Sequence, residues 1–139
     1  MEKSLVLIKP DAIQRGLTKI ILARLEKQGL KLVTSKMLQL DRALAQKLYA
    51  VHKDKPFFEG LVNYISSGPI IAAVFEGEKA VEVIRKTMGA TDPAKAEAGT
   101  IRGAFGINIE RNSIHGSDSI ETAKKEIKLF FTKAEIQSY

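Results

Sequence analysis

Several kinds of chemistry are ruled out by what this chain lacks. It has no cysteine, so it has no disulfide, no thiolate metal site and no thiol nucleophile. A chain without cysteine fits the cytoplasm. Its longest apolar run near the start, Leu5 to Ile8, is only four residues. That is too short for a signal-peptide core or a membrane span. It has no Trp, and aromatic residues are only 6% of the chain, so aromatic stacking rests on few side chains. There is no G-x-x-x-x-G-K-[ST] phosphate loop. Gly99, Gly103 and Gly106 do not form the dinucleotide fingerprint, and the H-R-D and D-F-G signatures of protein kinases are missing. The two histidines, His52 and His115, lie far apart without a ligand cluster around either, which argues against zinc. Acidic residues are in the minority: the net charge is +6, which suits polyanions such as nucleic acid or nucleotide phosphates.

At 139 residues the chain fits one domain, 1–139, with room for a proper core. Its elements alternate. Ser4 to Ile8 reads as a strand closed by a turn at Lys9-Pro10-Asp11. Leu17, Ile20, Ile21, Leu25 and Gln28 share a helical face that Gly29 stops. Leu30 to Leu40 is rich in strand formers. Asp41 can cap a helix carrying Leu44, Leu48 and Val51, and a second helix after Pro56 turns Phe58, Leu61, Val62 and Ile65 inward. Ile70 to Phe75 is a strand, Glu78 to Met88 a helix, and Gly89 to Gly99 a long irregular loop. Phe105 to Ile109 alternates and reads as the fourth strand, and a last helix runs from a cap at Ser117, Asp118 or Ser119 through Phe130. Collapsing the helical pair gives an α+β, ferredoxin-like βαββαβ pattern. The expectation is a four-stranded antiparallel sheet with helices on one face and an added helical hairpin.

The stretch Arg111-Asn112-Ser113-Ile114-His115-Gly116-Ser117-Asp118-Ser119 is the chemically richest. It follows the expected last strand and precedes the last helix, a position that often presents a side chain to a cleft. Gly116 removes bulk beside the ring, and Glu126 on the following helix can reach back to the imidazole. A histidine held by a carboxylate through one nitrogen can attack with the other. Lys9, Arg85, Thr91 and Arg102 fall where strand ends and loops could feed the same cleft. Phosphoryl transfer needs such cations, because the work is positioning and charge stabilisation. Taken singly, the same residues read differently: His115 in a capping turn, Phe57 in the core beside Phe58, Tyr49 as helix packing, Glu126 in a surface pair.

Asn112-Ser113-Ile114-His115-Gly116-Ser117-Asp118 resembles the N-x-x-H-G-S-D signature of nucleoside diphosphate kinases. Leu5 to Asp11 is similar to that family's first strand, and further blocks match in order: His52 with Pro56-Phe57-Phe58, Ser66 to Pro69, Met88 to Pro93, and Gly99 to Gly103. The resemblance implies a ping-pong transfer. A nucleoside triphosphate phosphorylates His115, and a nucleoside diphosphate then takes the group. It points to Nδ1 as the attacking nitrogen with Glu126 across the ring; the sequence by itself assigns neither nitrogen. It implies that Lys9 and Tyr49 hold the transferred group, with Lys9 also touching the ribose. Arg85, Thr91 and Arg102 would bind the β and neighbouring phosphates, His52 would approach the α-phosphate, and Asn112 would take a sugar hydroxyl. Phe57 would stack on the base, with Leu61 and Ile109 around it. Ser117 would bond near His115 and Glu126. Mg²⁺ would be held by nucleotide phosphates rather than by a direct protein ligand, with Asp118 reaching it through water.

The chain departs from the family at Ala98, where proline is frequent, and at Ala104, where an acid is common. It stops at Tyr139 without the longer tail of the animal-type enzymes, which leaves oligomer size open, although Pro93 favours a hexamer over a tetramer. A different reading is a basic nucleic-acid-binding module. Arg102 to Ile109 superficially fits the basic-Gly-aromatic stretch of RNA-recognition sheets, but Ala104, Gly106 and Ile109 stand where the stacking aromatics belong. Nucleic acid is then at most a side ligand of a basic surface.

Overall fold

The computed structural model describes residues 1–108 and 111–137. The element order is β1 (Glu2–Ile8), α1 (Pro10–Gln14), α2 (Thr18–Lys27), β2 (Lys31–Leu38), α3 (Arg42–Leu48), α4 (Phe58–Ile65), β3 (Ile70–Gly77), α5 (Ala80–Met88), α6 (Ile101–Phe105), β4 (Ile114–Gly116), α7 (Ile120–Phe130) and α8 (Lys133–Gln137). Single 3₁₀ turns at Ala50–His52 and Pro93–Lys95 interrupt the connections. The strands form one sheet in the order β2-β3-β1-β4, each neighbouring pair antiparallel. This is the expected ferredoxin-like arrangement, with α3 and α4 as the added hairpin. Among the described residues no helix is long and apolar enough to cross a membrane.

Helices cover both faces of the sheet, not one as the element pattern alone suggested. Leu5 and Leu7 of β1 pack with Ala45, Val62 and Ile127 from α3, α4 and α7. Val6 and Ile8 pack with Ile21, Ile84 and Ile101 from α2, α5 and α6. A strand buried on both faces loses the polar alternation that marks a half-exposed one, and the unbroken run Leu5 to Ile8 is that signature. In α2, Ile21 and Leu25 are buried as the periodicity predicted, whereas Ile20 faces solvent.

The fourth strand is also displaced from its expected place. Phe105 closes α6, and Ile107 and Asn108 follow it outside any strand; Ile109 lies outside the described residues. Thr100 starts α6 by accepting from Gly103 N–H at 3.1 Å, so helix-capping overrides the short Phe-Ile alternation. After α6, Ile107 N–H donates to Arg111 O at 2.7 Å, and Arg111 N–H to the Asn108 side chain at 2.8 Å. The fourth strand is Ile114–Gly116, so His115 sits within a strand rather than after one. Among the described residues, Arg102 to Asn108 therefore supplies no strand surface for stacking bases. Lys9-Pro10-Asp11, read as a turn, instead opens α1, because Pro fits the first helical position. The sequence reading also missed α8.

Gly103 shows how tightly α6 is held. A Cβ there would lie 1.9 Å from the Glu97 carbonyl oxygen, a backbone atom that cannot swing away. Alanine in a helix interior is favoured over glycine by about 1 kcal/mol. Overpacking costs about 1–3 kcal/mol. The clash should win: Gly103→Ala is expected to lower the urea midpoint, and a raised midpoint would show that the loop yields freely.

Candidate active site

His115 pairs with Leu7 across the β1–β4 ladder, so its ring emerges on the face covered by α3, α4 and α7. Its neighbour Gly116 points the other way, and a Cβ there would meet Met88 Sδ at 2.7 Å and Ile84 Cγ2 at 2.9 Å. The glycine thus lets α5 press against β4. On the histidine face, α7 begins at Ser119, whose hydroxyl accepts from Thr122 N–H at 3.1 Å. This start sets the phase of α7 and turns Glu126 inward. Its Oε1 lies 3.0 Å from His115 Nε2 and accepts from Ser117 Oγ at 2.8 Å. A carboxylate only accepts, so in the neutral imidazole the hydrogen sits on Nε2 and Nδ1 carries the lone pair. Tyr49, at the end of α3, meets the ring edge to face, with centroids 6.1 Å apart. Burial raises the Tyr49 hydroxyl's pKa, as does the Glu126 charge, against a lowering by Arg102. The phenol remains a hydrogen-bond donor.

Arg102 is buried on α6 and donates to the carbonyls of Gly89 at 3.1 Å and Ile114 at 2.9 Å. Burial lowers its pKa to about 10, helped by the positive charge of Arg85 and opposed by Tyr49 and Asp118. It keeps its charge at neutral pH, next to the residue that precedes His115. Its Nε is buried without a hydrogen-bond partner. Arg85 of α5 forms a 2.7 Å ion pair with Asp118, both largely exposed. Lys9, buried at the end of β1, donates to Asn112 Oδ1 at 2.8 Å. Asn112 Nδ2 donates in turn to the Thr91 carbonyl at 3.0 Å.

The fold therefore brings His115, Ser117, Glu126 and Tyr49 together, joins Lys9, Asn112 and Thr91, and ties Arg102 to the strand that carries His115. Arg85 and Asp118 form an exposed pair close enough for both charges to act on Arg102. His52 and Phe57 make a third group: their rings lie 5.3 Å apart, and Phe57 is half exposed. Leu61 packs against the core cluster below them. Ile109 lies outside the described residues. Among the described residues no group of three or more acidic or histidine side chains is placed to hold a metal ion.

Sequence reasoning missed a second layer beneath Lys9 and Asn112. The buried Asp11 carboxylate accepts from Tyr64 Oη at 2.7 Å and from Ser113 Oγ at 3.2 Å, and Asp11 N–H donates to the same tyrosine oxygen at 2.8 Å. Burial raises the Tyr64 hydroxyl's pKa, and the bond to Asp11 raises it further. In the sequence Asp11 read only as part of the Lys9-Pro10-Asp11 turn; its partners, far away along the chain, were not legible.

Comparison with known proteins agrees with this fold. A family model for Nucleoside diphosphate kinase matches residues 2–136. A protein of that name from Dehalococcoides mccartyi is 62% identical over 139 residues, all of this chain and 98% of that one. Another from Synechococcus elongatus is 55% identical, over all of this chain and 93% of that one. Among solved structures, the Aquifex aeolicus nucleoside diphosphate kinase superimposes with a TM-score of 0.94 at 40% identity, covering 97% of this chain and 98% of that one. A Halobacterium salinarum nucleoside diphosphate kinase, solved in complex with CDP, gives 0.94 at 48% identity, covering 97% of this chain and 90% of that one. A family model matching residues 2–136, with identities of 55% and 62% to two of these enzymes over the whole chain, places the chain in the nucleoside diphosphate kinase family, as an enzyme that passes a phosphoryl group from a nucleoside triphosphate to a nucleoside diphosphate.

Proposed function

We propose that residues 1–139 work as one catalytic domain and that the transfer proceeds in two displacements through His115. The observation that carries this reading is the Glu126 carboxylate, which receives both Ser117 Oγ and His115 Nε2 and so turns Nδ1 toward incoming substrate. Nδ1 attacks the γ-phosphorus of a nucleoside triphosphate. The bond from phosphorus to the β–γ bridging oxygen breaks, and the nucleoside diphosphate leaves with that electron pair. A second nucleoside diphosphate then attacks the phosphohistidine with a terminal β-phosphate oxygen, and the P–N bond breaks. Glu126 orients the ring and stabilises charge on it in both steps.

The remaining roles follow the same reading. Lys9 and the Tyr49 hydroxyl hold the transferred group. Arg85, Thr91 and Arg102 bind the β and neighbouring phosphates, His52 the α-phosphate, and Asn112 a sugar hydroxyl, which Lys9 shares. The exposed ring of Phe57 stacks on the base, with Leu61 and Ile109 beside it. Mg²⁺ would be held mainly by the nucleotide phosphates, with Asp118 contacting it through water, and would supply screening of the phosphate charge. The enzyme works in the cytoplasm as a homo-oligomer, a hexamer rather than a tetramer, with Pro93 in the contact loop. Nucleic acid is at most a side ligand of the basic surface.

Incubation with γ-labelled ATP and no acceptor should give an acid-labile, base-stable label that any nucleoside diphosphate chases. His115→Asn should abolish that label, and His52→Gln should keep it while weakening nucleotide binding. A folded wild type that takes no label would sink the two-step reading, and equal loss in both variants would remove His52 from its assigned place.

Glu126→Ala should leave nucleotide affinity nearly intact and slow single-turnover histidine phosphorylation by about 10-fold or more, because the lost contact orients the ring. An unchanged rate would return Glu126 to a structural role.

The proposed base slot offers an aromatic face and aliphatic walls, and stacking accepts every base. ATP, GTP, CTP and UTP should all serve as donors, purines modestly better, and Phe57→Ala should weaken all four while narrowing that advantage. A preference of ~10³ or more for one base in kcat/KM would reveal a hydrogen-bonding reader and end the broad-specificity assignment.

A further inference from the structure

We infer that Asp11 is a positioning residue that clamps the strained turn at Ser113 and thereby sets the Lys9–Asn112 pair; the inference rests on the binding roles proposed above for those two residues. Ser113 has φ 76°, a left-handed value that side chains other than glycine adopt at a steric cost. Around it, Ile114 N–H donates to Asn112 O at 2.9 Å. A hydrogen bond spanning three residues with φ near +75° at the centre marks the rare and strained form of the γ-turn. Strain of this kind persists only where the surroundings hold it, and it gathers at functional sites.

The position of the turn explains why it matters. On one side stands Asn112, whose amide bridges Lys9 Nζ and the Thr91 carbonyl. On the other stand Ile114, whose carbonyl receives Arg102, and then His115. A change in backbone direction at Ser113 would swing the Asn112 amide relative to the histidine. Two contacts oppose such a change. Lys9 N–H donates to Ser113 O at 3.0 Å, and Ser113 Oγ donates to Asp11 Oδ2 at 3.2 Å. The other Asp11 oxygen is held by Tyr64 of α4, the helix that follows Phe57 directly and carries Leu61. Asp11 thus links the phosphate end of the site to the helix beneath the proposed base slot. Ser113 is fully buried and Asp11 nearly so, and hydrogen bonds strengthen in such a low-dielectric setting.

The test separates clamp, strain and sugar contact. It compares kcat/KM for ATP and for 2′,3′-dideoxy-ATP, with GDP as acceptor, and records Tm for each variant. Ser113→Ala removes the clamp and keeps the steric cost. It should lower kcat/KM for ATP by about 10-fold, the scale of a small misplacement. It should also shrink the ATP to dideoxy-ATP ratio by about 3- to 10-fold, the worth of one hydrogen bond. Ser113→Gly removes clamp and cost together, so its values should lie between Ser113→Ala and wild type. Asp11→Ala should follow Ser113→Ala. Asp11→Asn should recover much of the loss, since its amide can donate to Ser113 Oγ while its carbonyl accepts from Tyr64. Asn112→Ala should collapse the ratio directly. If it does not, Asn112 does not read the sugar, and the inference falls with that role. If Asn112→Ala collapses the ratio while Ser113→Ala and Asp11→Ala lower Tm alone, Asp11 is merely structural and only the inference falls. Should Asp11→Ala fail to fold, the two Ser113 variants decide the matter.

Discussion

Burial of β1 on both faces is the constraint from which the rest of the molecule follows. Leu5 and Leu7 enter one helical layer and Val6 and Ile8 the other, and all four are inaccessible to solvent. A strand in that position cannot leave backbone groups unpaired, so it needs a neighbour on each side. β3 supplies one along its whole length, from Glu2↔Gly77 to Ile8↔Ile71. The other is β4, which pairs only at Val6, Leu7 and Ile8. That short ladder carries His115. The histidine is therefore held by the most buried segment of the protein, while its side chain stands at the rim where α3 and α7 meet.

Electrostatic arrangement follows from the same placement. Polar groups are buried all along the β1–β4 seam: Lys9 after β1 beside Ser113, Arg102 on α6 against Ile114, and Ser117 after β4 opposite Leu5. Each loses water there, and each is compensated in its own way. Lys9 has the Asn112 amide, Arg102 the carbonyls of Gly89 and Ile114, and Ser117 the Glu126 carboxylate. Arg102 shows the cost, because burial draws its pKa down to about 10, yet a guanidinium starts so high that its charge survives at neutral pH. Fixed charges already stripped of water need little reorganisation when phosphates arrive, which is what phosphoryl transfer requires of its surroundings.

Legibility in the sequence divided along physical lines. Helices with a clear apolar period, such as Val81, Ile84 and Met88 of α5, were readable because local pattern and burial agree there. Phe105 to Ile109 misled because a three-residue alternation is weak evidence against a helix capped at Thr100 and the Ile107 N–H bond to Arg111 O that follows it. The one-face expectation failed because element order does not say which side of a sheet a helix will cover. Residues proposed for direct chemistry, namely His115, Glu126, Lys9 and Arg102, were picked out by type and by resemblance. Asp11, Tyr64 and Ser113 were not, since a carboxylate, a phenol and a hydroxyl scattered along the chain announce nothing until they touch.

By itself the sequence determined the kind of chemistry available: no thiol, two histidines, an excess of cations and a signature around one histidine. It also determined which segments could be helix or strand, because period and capping are local properties. Tertiary structure decided which nitrogen of His115 faces Glu126 and which cation lies against the carbonyl of Ile114. It also decided that Ser113 is held in a left-handed turn by an acid from the far end of the chain. These are distances between residues remote in sequence, set by the register of β4 on β1 and the phase of α7 above it, and no local pattern encodes them.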